Sequence, residues 1–278
     1  TEDHSICKDD QLTALPAGEG LTAECHVPIK VLILGNGQAS WSNDVQAKLA
    51  PDPRFSVVDV RRNNPPLAFL QGYDAVLAHT VQAGAGYGST LKDYADGGGG
   101  VVTMIATNIS TSGFNITGTW PGSVYPLVAT GGINRFDGPK ILGTVYDAAH
   151  PIMQGVNTFS GGSFSGRNNT NTLLGGATRI ADWDDGLPLV VVNSGLGPNS
   201  VRRVDLNFSP ISSDGQGSAW VSSTDGALLM ANALSWVAGA NAGANACEIK
   251  WYDAQFGGNQ VGTGDVFDPV ADGAVDPG

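Results

Sequence analysis

The chain has 278 residues, of which 39 are glycine and only 14% are charged, with a formal net charge of −12. Phosphate binding needs clustered Lys and Arg, and Arg61-Arg62 and Arg202-Arg203 are the only adjacent basic pairs, which excludes nucleic acid as a partner. No apolar run reaches the ~18 residues needed to cross a bilayer as a helix, so no membrane span is expected.

Residues 1–29 read as a polar N-terminal extension. Cys7 and Cys25 flank most of it, and a disulfide between them would close a loop of roughly 18 residues and stabilise by about 3 kcal/mol. Cys247 is an alternative partner for either, so three cysteines leave one thiol over, free or intermolecular. The first residue is Thr1 rather than methionine, as expected of a chain whose leader has been processed away. Together with the cysteine pair, this predicts a secreted protein, extracellular or on the cell surface. Four N-x-S/T sequons, at Asn108, Asn115, Asn168 and Asn207, are candidate glycosylation sites.

From residue 30 the pattern becomes periodic. KVLIL (30–34) is an apolar run ending in Gly35-Asn36-Gly37, a buried strand entering a turn. Trp41, Val45 and Leu49 recur at helical spacing, with Ser40 or Ser42 as the expected N-cap and Pro51 beyond the end. SVVDV (56–60) and YDAVLAH (73–79) are the next strands. Tyr87, Leu91 and Tyr94 mark a helix that Gly97 to Gly100 terminate. VVTMIA (101–106) is continuously apolar, the signature of a strand buried on both faces. Strands alternating with helices at this spacing predict a doubly wound, mostly parallel α/β sheet.

Residues 107–138 and 160–176 are polar and aperiodic, and read as insertions. ATRIADW, PLVVVNS and VRRVDLNF are strand-like runs between turn signals and predict an antiparallel extension of the sheet. ALLMANALSWVAG is apolar nearly all round and ends at Gly239, a buried helix. The core domain is therefore expected over residues 30–240. Residues 241–278 form a Gly/Asp-rich extension with one strand candidate, CEIKWYDA; by composition the rest is too polar to build a core and needs something to hold it in place.

In their order, KVLILGNG, YDAVLAH, GGGGVVTMIATN, HPIMQGV, the hairpin around Trp183 and the closing helix LLMANALSWVAG resemble the class I glutamine amidotransferase-like fold, in its ThuA-like, non-amidotransferase branch. The resemblance spans residues 29–239. It implies a flavodoxin-like sheet and, in catalytic members, a nucleophilic cysteine within G-x-C-x-G on a sharp turn after the fourth strand. Here that turn reads Ile105-Ala106-Thr107-Asn108-Ile109-Ser110. Thr107 and Asn108 occupy the elbow without a nucleophile or flanking glycines, so the resemblance carries over the fold and not the activity.

Other chemistry is thinly represented. His79 ends a predicted parallel strand, where α/β sheets place ligands, and is the foremost ligand candidate; His150 sits in a turn before Pro151. Ser110 and Ser112 are formal triad serines only. Asp182, Asp184 and Asp185 surround Trp183, a carboxylate pattern seen where sugars are cleaved or bound. Asp265, Asp268, Asp272 and Asp276 are weak calcium candidates in a segment lacking the EF-hand pattern; no zinc spacing occurs and no other cofactor is implied. No catalytic set emerges. Two roles follow: a structural protein that self-associates through its terminal extensions, forming filaments or a surface assembly, or an extracellular glycan-binding or glycan-processing module with Trp41, Trp120, Trp183 and Trp220 as stacking platforms.

Overall fold

The computed structural model describes residues 22–26, 28–80, 86–110, 115–215, 218–239, 248–252 and 260–263. The chain divides into two compact units: Ile29–Asn241, and the two chain ends Thr1–Pro28 with Ala242–Gly278. The first strand, β1 (Thr22–His26), belongs to the chain-end unit.

The larger unit opens with β2 (Ile29–Leu34), α1 (Ala39–Leu49), β3 (Phe55–Arg61), the single turn α2 (Leu67–Leu70), β4 (Ala75–Ala78), α3 (Tyr87–Asp96) and β5 (Gly100–Met104). Apart from α2, these are the elements that the apolar runs and helical spacings predict. One local expectation fails. The residue before α1 is Gln38, which makes no side-chain cap, and Ser42 lies inside the helix with its hydroxyl on His79. A buried tertiary partner outcompetes the cap.

Two short strands, β6 (Ile133–Asn134) and β8 (Arg167–Asn168), pair with each other and tie the two insertions together; β7 (Leu142–Val145) lies between them. Then come β9 (Thr178–Trp183), β10 (Pro188–Leu196), β11 (Val201–Leu206) and α4 (Gly226–Ala238). The eight-stranded sheet runs β3-β2-β4-β5-β11-β10-β9-β7. Its first five strands are parallel, in the flavodoxin-like order 2-1-3-4-5. Only β10, β9 and β7 are antiparallel additions. The run VRRVDLNF, expected among the antiparallel strands, therefore pairs parallel with β5 and closes the parallel half of the sheet.

Alternation sorts the core into two layers. Val31 and Ile33 join a cluster with α1 and α4, while Leu32 and Leu34 join one with α2 and α3. The second layer is completed by Ile116, Trp120, Tyr125, Leu127 and Val128, so the first insertion is aperiodic yet supplies core. A buried apolar side chain stabilises by roughly 1.5–3 kcal/mol wherever it sits, and periodicity reveals it only in regular elements.

The chain-end unit is completed by β12 (Glu248–Tyr252) and β13 (Gln260–Thr263). Its sheet order is β1-β12-β13, antiparallel throughout, with Cys25 opposite Ile249 and Trp251 opposite Gly262. The strand candidate CEIKWYDA thus forms, and its partner is the opposite end of the chain.

Candidate functional site

In an open α/β sheet the carboxyl ends of the parallel strands are where ligands bind, above all at the switch point between the first and third strands. Here that point lies between β2 and β4. Gly35 and Gly37 follow β2, and His79 and Thr80 follow β4. A Cβ on Gly35 would lie 2.5 Å from His79 Nε2 and 2.7 Å from the His79 carbonyl oxygen, so glycine is required there by close approach. His79 is fully buried. Its Nε2 lies 3.1 Å from Ser42 Oγ and its Nδ1 2.9 Å from Thr80 Oγ1. Burial lowers its pKa to about 4, so the ring is neutral at physiological pH. Each ring nitrogen already has a hydroxyl partner, and Ser42 has no exposed surface by which a substrate could reach it. The switch point is filled by the protein's own side chains.

The second corner lies at the carboxyl ends of β5 and β11. Thr103 and Asp205 face each other across that pair. Asp205 is buried and accepts from Arg203 Nη2 (2.8 Å), Asn108 Nδ2 (3.1 Å) and the backbone amides of Leu127 and Val128 (3.1 Å each), as well as from Thr103 Oγ1. Arg203, with no exposed surface, also donates to the carbonyls of Val101, Tyr125 and Val204. Its guanidinium sits 4.8 Å from the centre of the Trp120 ring, which stacks on Tyr125. Burial pulls the Arg203 pKa down and the Asp205 carboxylate opposes that shift. A buried charge pair endures only when its remaining hydrogen-bonding capacity is met, as it is here.

The elbow belongs to this network. Ile105–Thr107 form one turn of 3-10 helix, without the strained backbone of a nucleophile elbow: Asn108 has φ −121°. Thr107 is buried and its hydroxyl donates to the Met104 carbonyl at 2.7 Å. Asn168 donates to the carbonyls of Asn108 (2.9 Å) and Ala129 (3.0 Å), and its own backbone N–H donates to Asn207 Oδ1 at 2.6 Å. Asn207 Nδ2 donates to Pro188 and Asn168 carbonyls. A void of about 10 Å³, room for one water, lies among Asn108, Asn168, Asp205 and Asn207.

This overturns two of the sequon expectations. Asn168 and Asn207 are 2% and 4% exposed with both amide groups committed, so neither carries a glycan in the folded chain. Asn108 spends its Nδ2 on Asp205; Asn115 makes no hydrogen bond among the described residues. The carboxylate block around Trp183 is likewise structural. Asp182 is 3% exposed and accepts from Tyr146 (2.7 Å) and Arg179 (3.1 Å). Asp185 pairs with the buried Arg167 at 2.5 Å, and Arg167 also holds Asp137. Asp184 accepts from the backbone of Ile141. Asp182 is thus buried within the fold, while Asp184 and Asp185 remain exposed. Trp120, Trp183 and Trp220 are at most 1% exposed and are core rather than stacking platforms; Trp41 is half-buried. His150 caps the turn at Pro151–Met153, its Nδ1 accepting from Ile152.

The side chains of Cys7, Cys25 and Cys247, the serine Ser112 and the tail aspartates Asp265, Asp268, Asp272 and Asp276 lie outside the described residues. Among the described residues no group of three His, Cys, Asp or Glu side chains has metal-binding geometry, and no helix is long and apolar enough to cross a membrane.

Beside the elbow opens a cavity of about 110 Å³. Thr107 and Asn108 form its inner wall, and the first insertion supplies most of the rest, including Asn115, Ile116, Trp120 and Thr130. Sequence reasoning missed this place and the Arg203–Asp205 pair. The available signal was an Arg and an Asp two residues apart, on one face of a central strand whose other residues, Arg202 apart, are apolar.

No family model and no curated protein matches the chain. Solved structures do. A protein from Bacteroides uniformis ATCC 8492 described as ThuA-like superposes with a TM-score of 0.52 at 16% identity, covering 81% of this chain and 95% of that one. The N-terminal domain of mmIFT52 superposes with a TM-score of 0.53 at 11% identity, over 75% of this chain and 96% of that one. At these identities the likeness shows the fold alone. The larger unit thus shares its fold with that ThuA-like protein, an α/β fold with a mixed, mostly parallel sheet of eight strands.

Proposed function

We propose that the chain is a secreted, non-catalytic subunit that joins copies of itself through its terminal strands. The carrying observation is the β1-β12-β13 sheet. Opposite ends of the chain pair there, and among the described residues β1 and β13 each pair on one side only. An outer strand with a free row of N–H and C=O groups is a template for strand addition from a neighbour, and head-to-tail addition need not close. The larger unit supports this reading from the other side: the corner where relatives of this fold place a nucleophile holds Thr107 and Asn108 and is tied up by hydrogen bonds.

Light scattering and negative-stain microscopy test the proposal, on the full chain and on a chain ending at Tyr252, which lacks β13. The full chain is expected to form large regular particles that the shortened chain does not, with the melting of the larger unit unchanged. A full chain that stays monomeric up to high concentration rejects the assembly role.

A further inference from the structure

We propose that the cleft at the amino ends of β4 and β5 binds a small organic cation, an alkylammonium or guanidinium group. The inference is independent of self-assembly, because the cleft lies wholly within the larger unit. It lies at the opposite edge of the sheet from His79 and Asp205, away from the edge where open α/β sheets place their ligands.

β4 begins at Ala75 and β5 at Gly100, and these two residues pair in register. The chain just ahead of each strand forms the walls: Gln71, Tyr73 and Asp74 on one side, and Tyr94 with Gly97, Gly98 and Gly99 on the other. The space between them is about 380 Å³, within the ~300–1,000 Å³ of small-molecule sites. The glycines leave it open, and Gly99 could carry no side chain: a Cβ there would lie 2.2 Å from Tyr94 Cζ.

Charge selects the ligand. Asp74 is the one carboxylate among the lining residues, and no Lys, Arg or His lines the cleft. A reciprocal pair with Lys30 fixes its place: the Asp74 N–H donates to the Lys30 carbonyl at 2.9 Å, and Oδ2 accepts from the Lys30 N–H at 2.7 Å. Its Oδ1 accepts from no described residue. The Tyr94 hydroxyl donates to the Tyr73 carbonyl at 2.8 Å; burial first, and the Asp74 charge second, raise its pKa, so it stays neutral. The α3 dipole adds to the negative potential, since its C-cap Gly97 lines the cleft and its last turn holds no basic residue. An anion would find no counter-charge here, and a neutral ligand would desolvate the carboxylate without compensating it. A divalent metal ion takes several oxygen ligands, and one carboxylate does not supply them. An organic cation brings one N–H for Asp74 Oδ1, another for the Gln71 amide oxygen, and carbon for the tyrosine walls.

Saturation-transfer NMR on the full-length chain is the test. The free-amine probes are n-butylammonium and putrescine, and the side-chain probes are the Nα-acetyl methylamides of lysine and arginine. n-Butanol and butyrate are the neutral and anionic controls. At least one cationic probe should bind saturably, with Kd of about 1–10 mM. Binding of the free amines alone would identify a small amine, and of the side-chain probes alone a basic side chain of a partner protein. Asp74→Asn keeps an oxygen for the Lys30 N–H and removes the charge; it should weaken binding about fivefold with the melting temperature unchanged. Gly97 has φ −76°, which any residue adopts, and a Cβ there would stand 4.0 Å from Gln71 Nε2. Gly97→Lys therefore tethers an ammonium at the cleft and should weaken the free probes as much, which decides the matter if Asp74→Asn fails to fold. The site is rejected if no cationic probe transfers saturation, or if n-butanol or butyrate binds as well. It is also rejected if the folded variants bind at full strength.

Discussion

Two corners of the same sheet stand side by side at its carboxyl edge, and they are closed by opposite means. At the switch point His79 is held neutral, each ring nitrogen on a hydroxyl, with Gly35 clearing space beside it. One pair of strands further on, Arg203 and Asp205 are held charged, within a shell of backbone carbonyls, amides and asparagine side chains. Burial disfavours ions in both places. The first corner answers by giving up the charge, and the second by pairing it. Beside the second, a cavity of about 110 Å³ opens among the described residues.

The charged corner should be the more fragile to loss of one partner. Asp205→Ala leaves Arg203 buried without its counter-ion and five donors without their acceptor. Breaking a buried pair in this way costs about 3–5 kcal/mol. Urea denaturation of the variant is therefore expected to show that loss. The double change Arg203→Met with Asp205→Leu should recover only the share due to the unpaired charge, because Thr103, Asn108 and the amides of Leu127 and Val128 still lack their acceptor. A loss below about 1 kcal/mol, the range of an exposed ion pair, would mean that the two corners do not differ as described.

The neutral corner should announce itself through pH. His79 titrates near 4 in the fold against 6.5 when exposed, and burial is the cause. Between those values the unfolded chain holds more protons, so stability falls as pH falls through that window, by about 3 kcal/mol for this residue. His150 is also lowered, by burial first, and adds a loss of the same sign. Asp96, Asp137, Asp214 and Asp225 are lowered from 3.8 and act chiefly below the window. Comparing His79→Gln with the parent chain from pH 7 to pH 4 isolates the His79 share. Parallel stability curves would show that the ring is not held neutral.

The sequence made the sheet legible because the parallel strands are buried on both faces and read as unbroken apolar runs, as in Val101 to Met104. It misplaced VRRVDLNF because strand polarity is a long-range property: only pairing with β5 shows that the strand is parallel. The site was less legible. His79 stood out by its position at a strand end, yet residues distant in sequence, Ser42 and Gly35, fill its surroundings. Asn168 and Asn207 matched a glycosylation motif, a local pattern indifferent to burial, while their actual partners lie 39 residues apart. Trp120 and Tyr125 sit in a segment without periodicity, where nothing in the spacing distinguishes core from loop.

Gly35 offers the smallest and most local way to separate the two corners. Gly35→Ala adds one methyl group at 2.5 Å from His79 Nε2 and 2.7 Å from the His79 carbonyl, and the carbonyl is backbone that cannot swing aside. Overpacking of this kind costs about 1–3 kcal/mol. The ring would be pushed off Ser42 while Arg203 and Asp205, on β11, stay in place. The melting temperature should therefore fall, and the acid loss assigned to His79 should shrink as the displaced ring regains water. The loss caused by Asp205→Ala should be the same in the Gly35→Ala background, since the Arg203–Asp205 pair is undisturbed. If the two losses fail to add, the corners are coupled, and the neutral and charged ends of the sheet edge form one network.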